Sequence, residues 1–165
     1  MQEHKAYIGF GSNLGDRLAT CKRALEELAA LPACRLVKCS SFYETGPVGI
    51  LEQPLFINGV ALLQTRREPK WLLRRMLAIE KALGRVATCK WGPRCIDLDL
   101  LFFDDLVMRS PELSIPHPLL HERCFVLEPL NEIASRFRHP CLGKTVAELR
   151  DGLKDANQQV EVLVV

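Results

Sequence analysis

The first third of the chain alternates between short apolar runs and a helical stripe. Residues 6–10 form an apolar run of strand length that breaks at Gly11. Asp16 is placed to cap a helix behind this run, and Pro32 ends that helix. Between them lies an apolar stripe at helical spacing, formed by Leu18, Cys21, Leu25 and Leu28. The pattern predicts a strand followed by an amphipathic helix.

The next segments repeat this order after one extra strand. Residues 35–43 and 55–64 have the composition of strands, and the loop between them is rich in Gly and Pro. Pro69 suits the first turn of a second helix, and Gly84 suits its C-terminal cap. The apolar stripe of that helix consists of Leu72, Leu73, Met76, Ile79 and Leu83. A loop over residues 85–95 then leads to a strand that ends at Phe103.

The predicted order is therefore β-α-β-β-α-β, which is typical of an α+β fold with a ferredoxin-like core. In that fold two helices cover one face of a four-stranded antiparallel sheet, and the other face stays open for a site. Residues 115–130 and 145–152 predict short C-terminal helices that flank the sheet. We expect residues 1–165 to form a single domain.

Composition narrows the class of protein. The 165 residues are 48% hydrophobic and 25% charged, which is typical of a globular domain. A net charge of +2 is too small to indicate nucleic-acid binding by bulk electrostatics. The seven cysteines form no C-x-x-C motif, so reduced thiols are expected. No targeting or membrane segment is evident, which favours a cytoplasmic protein.

The strand before Phe103 carries two acids at alternate positions. Asp97 and Asp99 should lie on one face of the strand, and Leu98, Leu100 and Phe102 on the other. Two adjacent carboxylates repel each other unless a cation lies between them, and hard oxygen ligands suit Mg²⁺. The alternative is an exposed edge strand with two solvated acids. The Trp-Gly-Pro-Arg segment immediately upstream favours the metal interpretation.

Three other motifs lack the pattern that their chemistry requires. Residues 143–145 resemble the end of a phosphate-binding P-loop, but Arg138 stands where its first glycine is needed. Gly9 and Gly11 follow a strand, yet their spacing to Gly15 is one residue too long for a dinucleotide-binding turn. His117 and His121 have the spacing of a helical metal pair, but Pro118 lies between them.

Taken together, several motifs in order resemble one family. They are Gly11-Ser12-Asn13-Leu14-Gly15-Asp16-Arg17, Ser41-Phe42-Tyr43-Glu44-Thr45, Gln53-Pro54-Leu55-Phe56-Ile57-Asn58, Leu83-Gly84-Arg85, Trp91-Gly92-Pro93-Arg94 with Asp97 and Asp99, and Pro116-His117-Pro118 with Arg123. The chain resembles the 6-hydroxymethyl-7,8-dihydropterin pyrophosphokinase family of folate biosynthesis. The resemblance implies an Mg-dependent enzyme that transfers pyrophosphate from ATP to the pterin alcohol and releases AMP.

The resemblance also implies which residues act at the phosphates. Asp97 and Asp99 match the family acids that hold two Mg²⁺ ions, and Arg85 and Arg94 match arginines that reach the phosphates. A guanidinium fork suits phosphate oxygens, whereas the alternative for both arginines is a solvated loop. We expect these four residues to be catalytic.

Two substrate pockets follow from the same resemblance. Pterin binding is expected at Thr45, Val48, Phe56, Asn58, Trp91 and Phe125. Nucleotide binding is expected at Glu80, Arg85, Arg94, Leu100, His117 and Arg123. Two aromatic rings can stack on the flat pterin, and an asparagine fits its amide edge. The alternatives are that Phe56 belongs to the core and that Glu80 lies on the surface of its helix.

A different class of function remains possible at this point. The βαββαβ order also occurs in modules that bind single-stranded RNA, although those carry stacking aromatics where this chain has Asp97 and Asp99. A catalytically inactive scaffold is a third possibility. We favour a monomeric enzyme with small-molecule substrates and no nucleic-acid or membrane partner.

Overall fold

The computed structural model describes residues 2–46, 55–84, 95–153 and 160–164, which form a mixed α/β fold around an antiparallel sheet. The helices are α1 Arg17–Ala29, α2 Pro69–Ala82, α3 Cys124–Ala134 and α4 Val146–Gly152, and a 3-10 turn covers Leu120–Glu122. The strands are β1 His4–Ser12, β2 Cys34–Cys39, β3 Tyr43–Thr45, β4 Phe56–Thr65, β5 Asp97–Phe103, β6 Met108–Arg109, β7 Ser114–Ile115 and β8 Val160–Val162. None of the described helices is both long and apolar enough to cross a bilayer.

The main sheet is wider than predicted. In the described ranges it has six strands in the order β5-β1-β4-β3-β8, and β2 joins the same edge of β4 as β3. Every pairing in it is antiparallel. The β-α-β-β-α-β order is present, but the prediction of four strands is wrong, because one predicted strand is divided and β8 adds a strand at the edge.

The predicted strand over residues 35–43 is divided at Ser40. Its backbone N–H donates to the Val60 carbonyl at 2.9 Å, and its hydroxyl accepts from the Val60 N–H at 2.9 Å. A side chain thus replaces one bond of the regular ladder, so β2 and β3 follow the same edge of β4 as two separate strands.

The ends of the first two helices agree with the local sequence signals. The Asp16 side chain accepts a hydrogen bond from the Ala19 N–H at 3.1 Å and so caps α1. Gly84 follows α2 with φ of 90°, a conformation that glycine adopts without steric cost. Local chemistry therefore fixes where α1 begins and where α2 ends.

Each face of the sheet has its own apolar cluster. The α1 and α2 face includes Ile8, Leu63 and Leu100, all at most 3% exposed. The other face packs Tyr7 and Leu62 against residues of α3 and α4. The prediction of an open second face is thus only partly right, because the C-terminal helices cover part of it.

A bulge in β5 changes which residues share a face. Tyr7 pairs with Phe102 and Ile8 pairs with Leu100, so Leu101 is an extra residue on β5. Leu101 and Phe102 both join the α3 and α4 side, whereas the alternation of the sequence placed Phe102 with Leu98 and Leu100. Before the bulge the alternation holds, so Asp97 and Asp99 share a face as predicted.

Candidate functional site

A cavity of about 560 Å³ lies beside the carboxyl end of β1 and is lined both by residues of the second sheet face and by Leu73, Leu77 and Glu80 of α2. It brings together nine of the residues that the sequence proposed for the site: Thr45, Phe56, Asn58, Glu80, Asp97, Asp99, His117, Arg123 and Phe125. Leu100 is not among them, because its side chain is buried on the opposite face among the α1 and α2 residues. Val48, Arg85, Trp91 and Arg94 lie outside the described residues.

The two aspartates lie at one end of this cavity on the edge strand β5. Asp97 pairs with Gly11 and Asp99 pairs with Gly9, so each carboxylate has a neighbour without a side chain on β1. Leu98, between them, points into the core. The sheet floor beside both carboxylates is therefore bare, and a ligand can approach it closely.

Asn58 lies on the same rung as Gly11 and Asp97, two strands away from the acid. Its Nδ2 donates to the Thr45 Oγ1 at 2.5 Å, and both residues are buried. An added Cβ at Gly11 would overlap the Asn58 Oδ1. Gly11 and Thr45 together therefore fix where the Asn58 amide lies.

Sequence reasoning missed the role of the two β1 glycines because it tested them only as a dinucleotide-binding turn. Their spacing of two residues in a strand places both on one face, which is the signal that could have shown a bare sheet floor. The two positions differ, since a Cβ at Gly9 would make an ordinary contact of 3.5 Å with the Leu101 Cδ1. Only Gly11 is sterically restricted by the site.

Two phenylalanines line the rest of the cavity. Phe56 begins β4, and Phe125 lies in the first turn of α3. The Arg123 guanidinium carbon lies 5.4 Å from the centroid of the Phe125 ring, within the range of a cation–π contact. The interpretation of Phe56 as a core residue is wrong, because it is only half-buried and faces the cavity.

Glu80 connects the second helix to the acid-bearing strand. It is 2% exposed, so its placement on the surface of α2 is wrong. Its Oε2 accepts a hydrogen bond from the Leu98 N–H at 2.8 Å. A carboxylate on α2 thus holds the backbone between Asp97 and Asp99.

His117 lies beside the second aspartate. Its Nδ1 accepts from the Leu119 N–H at 3.1 Å, and its Nε2 lies 4.0 Å from the Asp99 Oδ1. Burial, and next the charge of Arg123, lower the pKa of His117 from 6.5 to about 4 against the opposing effect of Asp97. The ring is therefore neutral at pH 7 and carries its proton on the nitrogen that faces Asp99.

The donor set fits Mg²⁺. Asp97 and Asp99 supply hard oxygen ligands on one face of β5. Among the described lining residues, Glu80 is the third carboxylate and Arg123 is the one permanently cationic side chain. No group of three or more His, Cys, Asp or Glu residues in the described ranges is arranged to hold a metal ion. Two carboxylates are typical of Mg²⁺ sites in which water and substrate phosphates complete the shell.

The chain resembles proteins of one family over most of its length. The family model described as 7,8-dihydro-6-hydroxymethylpterin-pyrophosphokinase (HPPK) matches residues 7–135. The chain belongs to this family. All nine residues that the cavity brings together lie inside the matched range. The matched range therefore includes most of β1, the strands from β2 to β7 and helices α1, α2 and α3, and it ends before α4 and β8.

Two relatives illustrate the match. The 2-amino-4-hydroxy-6-hydroxymethyldihydropteridine pyrophosphokinase of Synechocystis sp. is 42% identical over 148 residues, which cover 90% of this chain and 75% of that protein. The folic acid synthesis protein fol1 of Schizosaccharomyces pombe is also 42% identical over 148 residues, covering 90% of this chain but 20% of that protein. This chain thus spans only a fifth of the length of the longer relative.

Solved structures agree on the fold. A crystal structure of Plasmodium falciparum HPPK-DHPS wild type with pterin and p-hydroxybenzoate superposes with a TM-score of 0.73 at 17% sequence identity. The match covers 94% of this chain and 45% of that chain. At this identity the likeness shows a shared fold and no more.

Proposed function

We propose that this chain transfers pyrophosphate from ATP to the hydroxymethyl group of 6-hydroxymethyl-7,8-dihydropterin and releases AMP, as a step of folate biosynthesis. The observation that carries the proposal is one cavity that is lined by a pair of aspartates, a buried asparagine and two phenylalanines. Family membership supports the same reaction.

The pterin is assigned to the end of the cavity that holds Asn58. The amide of Asn58 offers a donor and an acceptor to the polar edge of the pterin, and Thr45 fixes its orientation. Phe56 and Phe125 supply flat apolar surfaces for the ring faces. Val48 and Trp91, which lie outside the described residues, are proposed to complete this pocket.

The triphosphate is assigned to the end that holds Asp97 and Asp99. Two Mg²⁺ ions held by these carboxylates would neutralise charge on the phosphates. Arg123 faces the same space and attracts phosphate oxygens, while neutral His117 can donate from its Nε2. Glu80 is proposed to act on the nucleotide side by holding the Leu98 backbone.

The distance between the two ends suits the reaction. Asn58 and Asp97 lie on one rung with Gly11 between them, so their Cα atoms are separated by two strand spacings, about 10 Å. A pterin that contacts Asn58 therefore extends its hydroxymethyl group toward the acids. Its oxygen bonds to the β-phosphorus and gives up the hydroxyl proton to water, the bond from that phosphorus to the α,β-bridging oxygen breaks, and AMP leaves with the electron pair.

Arg85 and Arg94 are proposed to stabilise the charge that develops on the transferred group. Both lie outside the described residues, in the stretch between α2 and β5. A guanidinium is suited to this role because it binds phosphate oxygens through two parallel hydrogen bonds. The proposal for these two arginines rests on the family resemblance alone.

A nucleotide product assay tests the function. The protein is incubated with ATP, Mg²⁺ and the pterin alcohol, and nucleotides are separated by ion-exchange chromatography. AMP should form in equal amount to the pyrophosphorylated pterin, and omission of the pterin should suppress it. Formation of ADP would contradict pyrophosphoryl transfer, and absence of any product would favour an inactive scaffold.

RNA binding is not supported as an alternative. The chain belongs to an enzyme family, and the cavity presents Asp97 and Asp99, which repel a phosphodiester backbone. That the chain is a cytoplasmic monomer remains a proposal. Light scattering coupled to size exclusion tests its oligomeric state.

A further inference from the structure

Arg17, the first residue of α1, joins two segments that are separate in sequence. Its Nη1 donates to the Leu55 carbonyl at 2.8 Å and lies 3.0 Å from the Glu44 Oε2. Both contacts are partly buried, with 28% of the Arg17 side chain exposed. One guanidinium nitrogen thus connects α1 to the middle residue of β3 and to the residue before β4.

The local needs of the helix do not explain an arginine at this position. The N-terminus of a helix has a partial positive charge, which disfavours a cation in the first turn. Asp16 already caps α1 through the Ala19 N–H. Arg17 is therefore stabilised by its contacts across to β3 and β4 rather than by its own helix.

The two partners of Arg17 lie directly beside pocket residues. Glu44 precedes Thr45, and Leu55 precedes Phe56. Thr45 and Phe56 form the last described rung between β3 and β4, on the cavity face. Glu44 pairs with Ile57, whose side chain is in the cluster under α1 and α2. Arg17 therefore contacts β3 on the sheet face opposite to the side chains of Thr45 and Phe56.

A second contact from the same helix adds to this attachment. The Cys21 thiol lies 3.8 Å from the Ile57 carbonyl, one turn after Arg17 along α1. The rung that carries Thr45 and Phe56 is thus supported by α1 at adjacent points. A shift of this rung would move the Thr45 hydroxyl that orients Asn58.

We propose that Arg17 is a positioning residue for the pterin end of the cavity, acting through Glu44 and Leu55 on the Thr45 and Phe56 rung. The inference rests on the proposed function. Arg17 itself does not line the cavity. Because its partners precede Thr45 and Phe56, its replacement should weaken pterin binding more than nucleotide binding.

The test compares Arg17→Met with the wild-type protein. The substitution keeps an unbranched apolar stem and removes both polar contacts. We expect KM for the pterin to rise about three- to tenfold, the range expected for losing a partly buried ion pair together with a hydrogen bond to a backbone carbonyl, while KM for ATP changes less than twofold. Fluorescence titration of pterin binding should show the same loss. Arg17→Lys, which retains one contact, should restore part of it.

Arg23→Met is the matched control, because Arg23 is an exposed arginine on the same helix. Its substitution changes the net charge of the protein by the same amount as Arg17→Met. It should leave both KM values unchanged. An unchanged pterin KM in Arg17→Met, or an equal rise in the ATP KM, would overturn the inference. Failure of the wild-type protein to form AMP would instead overturn the proposed function.

Glu44→Gln provides the second variant, and it carries the test if Arg17→Met does not fold. It weakens one of the two contacts, so pterin KM should rise by about twofold or more and less than in Arg17→Met. Combining the two substitutions should be no worse than Arg17→Met alone, because both act through one nitrogen. Additive losses, or an unchanged KM in Glu44→Gln, would count against Arg17 acting through Glu44.

Discussion

The Glu80 carboxylate accepts a hydrogen bond from the Leu98 backbone N–H at 2.8 Å and is almost fully buried. Leu98 lies between Asp97 and Asp99, so this bond links the position of α2 to the geometry of both acids. A buried donor that loses its acceptor is costly, whereas a substitute acceptor preserves the strand. The stability of β5 and the activity of the site should therefore depend on the same side chain.

The stability of Glu80 variants should depend on whether the new side chain still offers an acceptor to the Leu98 N–H. Glu80→Ala leaves the Leu98 N–H without its acceptor and should lower the free energy of unfolding by about 1–3 kcal/mol. Glu80→Gln retains an acceptor oxygen and should lose less stability. Urea unfolding monitored by circular dichroism measures both, with Lys81→Ala on the exposed side of α2 as the control. Equal losses in Ala and Gln would contradict the hydrogen bond as the source of stability.

Neutralising either strand acid should strongly reduce turnover without unfolding the protein. Asp97→Asn and Asp99→Asn keep the size of the side chain but remove the negative charge that would hold Mg²⁺. We expect AMP formation to fall at least about 100-fold, comparable to loss of one electrostatic stabiliser in an active site. Asp105→Asn, at an exposed turn, should remain active.

Metal removal tests the same role independently. Chelation of divalent ions should stop AMP formation, and added Mg²⁺ should restore it in the wild-type protein. In Asp97→Asn and Asp99→Asn the Mg²⁺ concentration for half-maximal rate should increase. Rates close to wild type at limiting Mg²⁺ would remove these residues from the metal site.

The sequence predicted what local chemistry determines. The cap of α1 at Asp16 and the end of α2 at Gly84 depend on neighbouring residues alone, and both are confirmed. Alternation in β5 placed Asp97 and Asp99 on one face, and the cavity contains both. The motifs, taken in order, led to the correct family.

The features that the sequence did not predict depend on partners distant in the chain. Ser40 divides a strand because Val60 bonds to its hydroxyl, and Phe102 changes face because of the bulge against β1. The burial of Glu80 depends on how α2 packs against β5. The steric role of Gly11 is visible only once Asn58 lies across from it.

His139 should make the fold sensitive to mild acid. Its Nδ1 accepts from the N–H groups of Cys141 and Leu142, each at 3.1 Å. Burial, and next the positive charges of His121 and Arg109, lower its pKa below 6.5. The unfolded chain therefore binds the proton more tightly, and stability present above pH 6.5 is lost as the pH falls below that value.

His139→Asn isolates this contribution. The asparagine carbonyl can accept from the same turn but does not titrate. We expect the fall in unfolding free energy between pH 7.0 and 5.5 to be smaller in the variant, as measured by urea denaturation. His117, whose pKa burial lowers to about 4, contributes equally in both proteins. An identical fall in the two proteins would show that His139 is not responsible.

Gly11→Ala should damage the pterin end of the cavity through Asn58. The new Cβ would occupy the space of the Asn58 Oδ1, so the amide or the strand must shift, at a cost of about 1–3 kcal/mol in stability. Pterin affinity should fall with it, because the displaced amide loses its bond to Thr45. Gly152→Ala, at the open end of α4, is the matched control and should be neutral or slightly stabilising.

The cause of the Gly11→Ala effect can be tested in an Asn58→Ala background. If the methyl group acts by overlap with the Asn58 Oδ1, truncating Asn58 removes the overlap, and Gly11→Ala should then cost little further stability or pterin affinity. Unfolding free energies and pterin titrations of the four proteins give the coupling between the two positions. Additive losses would mean that alanine disturbs β1 itself, and Gly11 would then have no specific part in positioning the amide.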